Sequence, residues 1–381
     1  MTNDTIKMSS WAKFLSRTKR YGYIIAPLVI ALMPVAAFYL GDHTQYTTLK
    51  IWSTFIFVFG LLPIIDHFVG EDPTNFDDDT MQSMASDMYY KWITLLILPL
   101  YATLLVWGMH ALSQLEWLSW FNKLGWMIAI GLFGGALGIT TAHELIHKKT
   151  KTEQVAGGLL LSLVCYAGFK IEHIYGHHVH VSTPEDASSS RYNQSLYQFL
   201  PQAYVRNFNN AWVLQKKRME RRGQNFYSFN NELINYYGLS IALMVMFTVW
   251  QGALGLVYFL VTSFVAFTLL EIVNYLEHYG LHREKQDNGR YEKVTPHHSW
   301  NSNHLATNLF LFHLQRHSDH HAYPNRRYQV LRNFDDIPQL PSGYAAMIVL
   351  AVIPPLWRKV MNPRVEQYYE GRMQVLNGVA T

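Results

Sequence analysis

Residues 124–147 read LGWMIAIGLFGGALGITTAHELIH. From Leu124 to Ile146 the run carries no charge before Glu144, and roughly 20 apolar residues suffice for a helix to cross a bilayer's hydrocarbon. The run ends on His143-Glu144-Leu145-Ile146-His147, where i,i+4 spacing puts two imidazoles on one helical face. A membrane span that presents two adjacent metal-ligand side chains at its end sets both the fold and the chemistry to be expected.

Further apolar runs of spanning length lie near 22–41, 50–70, 92–112, 233–252 and 254–277. Together with 124–146 they predict an all-α membrane protein of six transmembrane helices. Two weaker stretches, about 155–169 and 343–357, are shorter than a span and read as partly buried or interfacial helices. Composition agrees: half of the 381 residues are apolar and only 15% are charged, against about a quarter in soluble domains. One cysteine, Cys165, excludes a disulfide framework and any cysteine-based zinc or iron–sulfur site within the chain.

Lys13, Arg17, Lys19 and Arg20 lead into a full-length apolar run rather than a short one with a small-residue cleavage site, so the first span is expected to be retained. With that basic end cytoplasmic, six spans return the C-terminus to the same side. The outer loops are then 42–50, 113–123 and the turn at Gln251–Gly252, which hold only Lys50 and Lys123. Lys148, Lys149, Lys151, the run Lys216-Lys217-Arg218 and the pair Arg326-Arg327 fall inside, as the positive-inside rule requires. The net charge of +4 thus reports topology and gives no reason to invoke nucleic acid. Without internal repeats, residues 1–381 are expected to form one integral-membrane domain with cytoplasmic insertions 147–232 and 278–381.

Nine of the eighteen histidines gather in four clusters on the predicted inner side. They are His143 and His147; His173, His177 and His178; His278 at the end of the last span; and His317, His320 and His321. Neutral imidazoles are common metal ligands and tolerate burial better than charges. Nine candidates exceed what one ion accepts, so two metals are implied. Imidazole suits zinc, copper, iron and nickel. Two six-coordinate ions would leave open positions of the kind oxygen-activating iron uses, which favours iron. Glu144, Glu172, Glu277 and Asp319 adjoin the clusters and are expected to accept the second ring N–H of ligating histidines. His180, His282, His297, His298, His304 and His313 stay outside the ligand set.

Other metal chemistries fit less well. His143-Glu144-x-x-His147 is also the two-ligand-plus-base pattern of zinc proteases, but an intramembrane protease would leave the other clusters idle. A metal transporter would place ligands near the bilayer midplane rather than at helix ends.

The motifs His143-Glu144-Leu145-Ile146-His147-Lys148, Glu172-His173 with Gly176-His177-His178, Asn274-Tyr275 with Glu277-His278-Tyr279-Gly280, and Leu314-Gln315-Arg316-His317-Ser318-Asp319-His320-His321-Ala322 resemble the bacterial membrane alkane 1-monooxygenases. These belong to the larger group of membrane desaturases and hydroxylases that carry histidine boxes, and the likeness extends to His297-His298-Ser299-Trp300-Asn301. The resemblance implies two non-haem irons, O2 as co-substrate, and electrons from rubredoxin with its reductase, giving a primary alcohol from an n-alkane drawn from the lipid membrane. Aryl methyl groups, acyl chains or sterols are the alternative substrates within the same architecture. With one cysteine the chain holds no fused rubredoxin. Because rubredoxins are acidic, Lys148, Lys149, Lys216, Lys217, Arg218, Arg221 and Arg222 are candidates for a docking surface. The small residues Gly131, Gly134, Gly135, Ala136 and Gly138 either let helices approach closely or leave a channel toward His143.

Overall fold

A computed structural model describes residues 10–40 and 45–369, without the side chains of 10–15. The expected cytoplasmic termini, the Lys13 side chain and the start of the 42–50 loop lie outside the described residues. The described residues are helical and contain no strand, only isolated bridges.

Four helices are long and apolar enough to cross a membrane. They are Ser16–Tyr39 within α1 (Ser10–Tyr39), α3 (Met88–Gln114), α4 (Trp120–Ile146) and α7 (Glu232–His278). A shorter apolar helix, α2 (Ser53–Val69), covers the expected stretch 50–70 and includes a π turn at Phe57–Leu61. The stretches 233–252 and 254–277 form one helical run of 47 residues, broken where Gln251 and Gly252 leave helical geometry, Gly252 at φ 60°. The chain folds back there. Phe247 stacks on Phe259 with ring centroids 5.5 Å apart, a separation that a continuous helix, rising 1.5 Å per residue, could not give.

α4 is the axis of the bundle: 89% of its apolar window is buried, against 39% for α1 and 44% for α3. The outer helices turn Leu28, Leu32, Leu96, Val106, Ile241 and Val249 outward, as lipid-facing surfaces require. Ser119 caps α4 by accepting from the Asn122 amide at 3.3 Å. Small residues bring α4 against the second half of α7: a Cβ on Gly131 or Gly135 would lie 2.8 Å from the carbonyl oxygen of Thr262 or Ala266. That is the close approach small residues permit in membranes.

The weaker stretches are buried rather than interfacial at their centres. α5 (Lys151–Ser162) sinks Leu160 and Leu161 completely, and α9 (Tyr344–Ala351) buries Tyr344, Met347 and Ala351. α10 (Pro354–Tyr368) follows, with Trp357 against Tyr275 of α7 and Tyr279 just beyond it, and Met361 buried in the same core. A long amphipathic helix, α6 (Leu196–Arg221), starts with a capping box between Ser195 and Gln198.

A buried ionic triad ties α1 to the segment before the last histidine cluster. Lys19 pairs with Asp72, and the Asp72 carboxylate lies 3.9 Å from Arg316, all three nearly inaccessible. Arg316 also donates to the carbonyls of Asp72 at 2.7 Å and Leu331 at 2.6 Å. Removing one partner of a buried ion pair costs about 3–5 kcal/mol because the remaining charges lose compensation. Asp72→Asn is therefore expected to lower the thermal stability of the detergent-purified protein by that order; an unchanged melting temperature would show that the triad contributes nothing.

Candidate metal centre

The histidine-bearing segments converge at one end of the bundle. α4 carries His143 in its last turn and His147 just beyond its end; His278 is the last residue of α7; α8 (His317–Ala322) supplies three more. His143, His147, His173, His178 and His320 form one group, and His177, His278, His317 and His321 a second, with the ligand atoms of each group within 4.8 Å of one another. In the first, Nε2 of His178 lies 3.1 Å from Nε2 of both His173 and His320. In the second, Nε2 of His321 lies 3.2 Å from that of His177 and 2.8 Å from that of His317. The groups adjoin, with the His178 and His321 rings 4.5 Å apart.

The middle cluster departs from its expected geometry. On an α-helix His173 and His177 would serve one site, but His173–His177 is a π-helical turn, in which the hydrogen bond runs from i to i+5. His173 consequently meets His178 in the five-histidine group, while His177 joins the other. Another π turn, Gly134–Ile139, precedes His143 in α4. π turns concentrate at functional sites because the extra residue re-aims the side chains that follow.

Burial, reinforced by neighbouring imidazoles, pushes His147, His173, His178, His317, His320 and His321 well below the usual histidine range. They are neutral, the form that binds metal. Nε2 of His143, His147 and His278 is buried without a hydrogen-bond partner among the described residues. Unpaired buried nitrogens carry a desolvation cost, and their convergence suits one cation in each group; the donor set fits two transition-metal ions such as iron.

Of the four expected carboxylates, Glu277 alone meets a ligand candidate, its Oε2 3.2 Å from Nε2 of His317. Glu144 turns instead to Lys148, 3.0 Å away, and to the Tyr328 amide, so it is not placed as the base of a zinc protease. Burial and then the nearby Asp186 and Glu271 push the Glu172 carboxyl well up; it packs over Gly176, where a Cβ would lie 2.6 Å from its Oε1. Asp319 is held by Arg326 and the Arg332 amide.

The residue missed from sequence is Asp186. Its Oδ2 takes the hydrogen bond of His177 Nδ1 at 2.9 Å and of Ser189 Oγ at 2.5 Å. Burial opposes ionisation, but the His177 ring and the Ser189 hydroxyl outweigh it and hold the carboxyl at about 2. Only the turn-forming run Ser182–Ser190 hinted at a structured loop there; no helical spacing links Asp186 to His177.

Among the six histidines set aside, His313 bonds Tyr23, His298 bonds Glu292 and Thr295, His304 bonds Ser302, His282 stacks on Tyr369, and His297 faces Asp336. None joins either group, nor does His180. Among the basic residues, Lys148 is buried, with Nζ on Glu144 and the Arg326 carbonyl, and cannot belong to a docking surface. Arg218 is engaged by Glu232. Lys149, Lys216, Lys217, Arg221 and Arg222 are exposed.

Three cavities adjoin the centre. An apolar one between α2, α4, α7 and α9 is lined by Gly135, Ala136, Thr140, Leu269, Leu311 and Leu314 among others, reaching the turns that carry His143 and His317. The small residues of α4 thus both pack against α7 and border space. A polar cavity of about 290 Å³ is bordered by His147, Lys170, Arg218 and Glu232. A larger one, about 530 Å³, lies against Asp186 and is rimmed by Arg191, Arg206, Arg283 and Lys285.

A family model described as fatty acid desaturase matches residues 118–351. The chain is 54% identical over 364 residues to alkane 1-monooxygenase 2 of Pseudomonas aeruginosa, covering 95% of this chain and 96% of that protein. It is 52% identical to alkane 1-monooxygenase 2 of Alcanivorax borkumensis, covering 94% of each. A more distant relative, the hydroxylase component of the xylene/toluene monooxygenase of Pseudomonas putida, is 26% identical over 88% of the chain. The chain belongs to the alkane 1-monooxygenase family, within the wider group that the fatty acid desaturase model describes.

Proposed function

We propose that the protein is a membrane non-haem di-iron monooxygenase that hydroxylates a terminal methyl of n-alkanes, using O2 and electrons from rubredoxin. The observation that carries this reading is the pair of buried histidine groups, with an apolar cavity lined by residues of the turns before His143 and His317. One integral-membrane unit with six crossings, residing in the bacterial inner membrane with both termini cytoplasmic, accommodates the folded-back α7 and the short α2. Two irons would supply the activation of oxygen, which no side chain here can provide.

The chain's own residues do the rest. An alkane offers nothing to hydrogen-bond, so it is held by shape and burial, with Leu269, Leu311 and Leu314 excluding water around the methyl end. Asp186 fixes the His177 ring and its tautomer from behind. Exposed Lys149, Lys216, Lys217, Arg221 and Arg222 form the docking surface for the acidic donor.

Iron and zinc measured in detergent-purified protein, followed by turnover with rubredoxin, its reductase, NADH, O2 and mixed alkanes, test the reading. Two irons per chain and primary alcohols are expected; zinc in place of iron, or no alkanol, overturns it. Ala136→Phe fills the apolar cavity and is expected to abolish hydroxylation of the longest accepted alkanes while sparing shorter ones and the metal content, read by product chromatography. Lys216→Glu with Lys217→Glu is expected to raise the KM for rubredoxin several-fold, with wild-type electron transfer slowing as salt rises; a salt-independent rate counts against docking by these charges.

A further inference from the structure

Asp186 and Glu277 both touch a histidine of the four-histidine group, but from opposite sides. Asp186 meets Nδ1 of His177, while Nε2 of that ring faces His321. The His298 carbonyl likewise meets Nδ1 of His278 at 3.2 Å and leaves Nε2 buried and without a hydrogen-bond partner. These are the contacts of groups that orient a ligand from behind. Glu277 differs: its Oε2 lies 3.2 Å from His317 Nε2, the same nitrogen that sits 2.8 Å from His321 Nε2. It therefore faces the point where the ring nitrogens converge.

The rest of the carboxylate is fixed to keep it there. Oε1 accepts from the Tyr344 hydroxyl at 3.0 Å, and Tyr344 is itself fully buried, its amide on Gln315. Glu277 is 1% exposed, and His317 is its one ion-pairing partner among the described residues. A buried carboxylate without a cationic partner costs several kcal/mol, and a divalent ion at the convergence point would remove that cost.

The geometry points to Glu277 Oε2 as a direct ligand of the metal held by His177, His278, His317 and His321. This rests on the two-metal reading above. It makes the two sites chemically unequal, one with five neutral nitrogens and the other with four nitrogens and an anionic oxygen, so the anion holds one ion specifically.

Metal retention tests it without reference to turnover. Wild type, E277Q and D186N are loaded anaerobically with ferrous iron-57 and titrated with a ferrous chelator, and the iron remaining per chain is counted. Changes to groups that orient a ligand weaken metal binding about 10–100-fold, the range expected for D186N. E277Q is expected to lose one of its two irons at more than a hundredfold less chelator, keep the other as wild type does, and alter one of two Mössbauer components. E277Q retaining both irons within the D186N range, with an unaltered spectrum, overturns the assignment. If E277Q does not fold, E277D, which keeps the charge but retracts the oxygen by one methylene, must still release one iron more readily than wild type; equal retention overturns it too. Wild type binding fewer than two irons overturns the two-metal reading instead.

Discussion

Ring nitrogens that meet at about 3 Å inside a region closed to water are the constraint on which the rest of the structure depends. Each neutral imidazole offers one donor and one acceptor, and with Nε2 of His321 set against those of both His177 and His317 the rings cannot all be satisfied by one another. Holding them there requires backing from behind, supplied by Asp186 at His177 and by the His298 carbonyl at His278. It also requires rigid delivery, supplied by helix ends rather than flexible loops. Two cations would turn this arrangement from a cost into a gain, because metal binding free energy adds directly to folding.

The polar interior is correspondingly well anchored. Arg316, one residue before His317, is locked to Asp72 and through it to Lys19 in α1. Phe312 and His313 adopt positive φ values of 47° and 53° in the turn just before, a strained conformation that surrounding contacts must maintain; the His313–Tyr23 bond at 2.8 Å is one of them. Lys148 and Glu144, adjacent to the ligand candidates, neutralise each other rather than the centre. Charge is thus paired around the site, leaving the donor set itself nearly all imidazole.

Around this centre the apolar and polar approaches are separated. The apolar cavity lies between the spans along Ala136, Thr140 and Leu314, in the turns before His143 and His317, whereas the polar cavities open beside His147 and Asp186. Under the proposed function, this separation would let a lipid-dissolved hydrocarbon and a water-soluble electron donor approach from different sides.

The sequence alone determined the class of fold and the set of nine histidines, because both leave strong local signals. Spanning helices need long uncharged runs, and paired ligands on a helix need i,i+4 spacing, as His143 and His147 show. Tertiary structure decided how the nine divide. A π turn at His173–His177 cannot be read from spacing, and it sends His177 away from His173. The backing carboxylates were likewise out of reach: adjacency in sequence favoured Glu144, Glu172 and Asp319, which turn to Lys148, Gly176 and Arg326 rather than to ligand candidates, while Asp186 reaches His177 only through the path of an irregular loop. Neighbours along a helix diverge by about 100°, so proximity in the chain says little about which side chain faces a shared point in space.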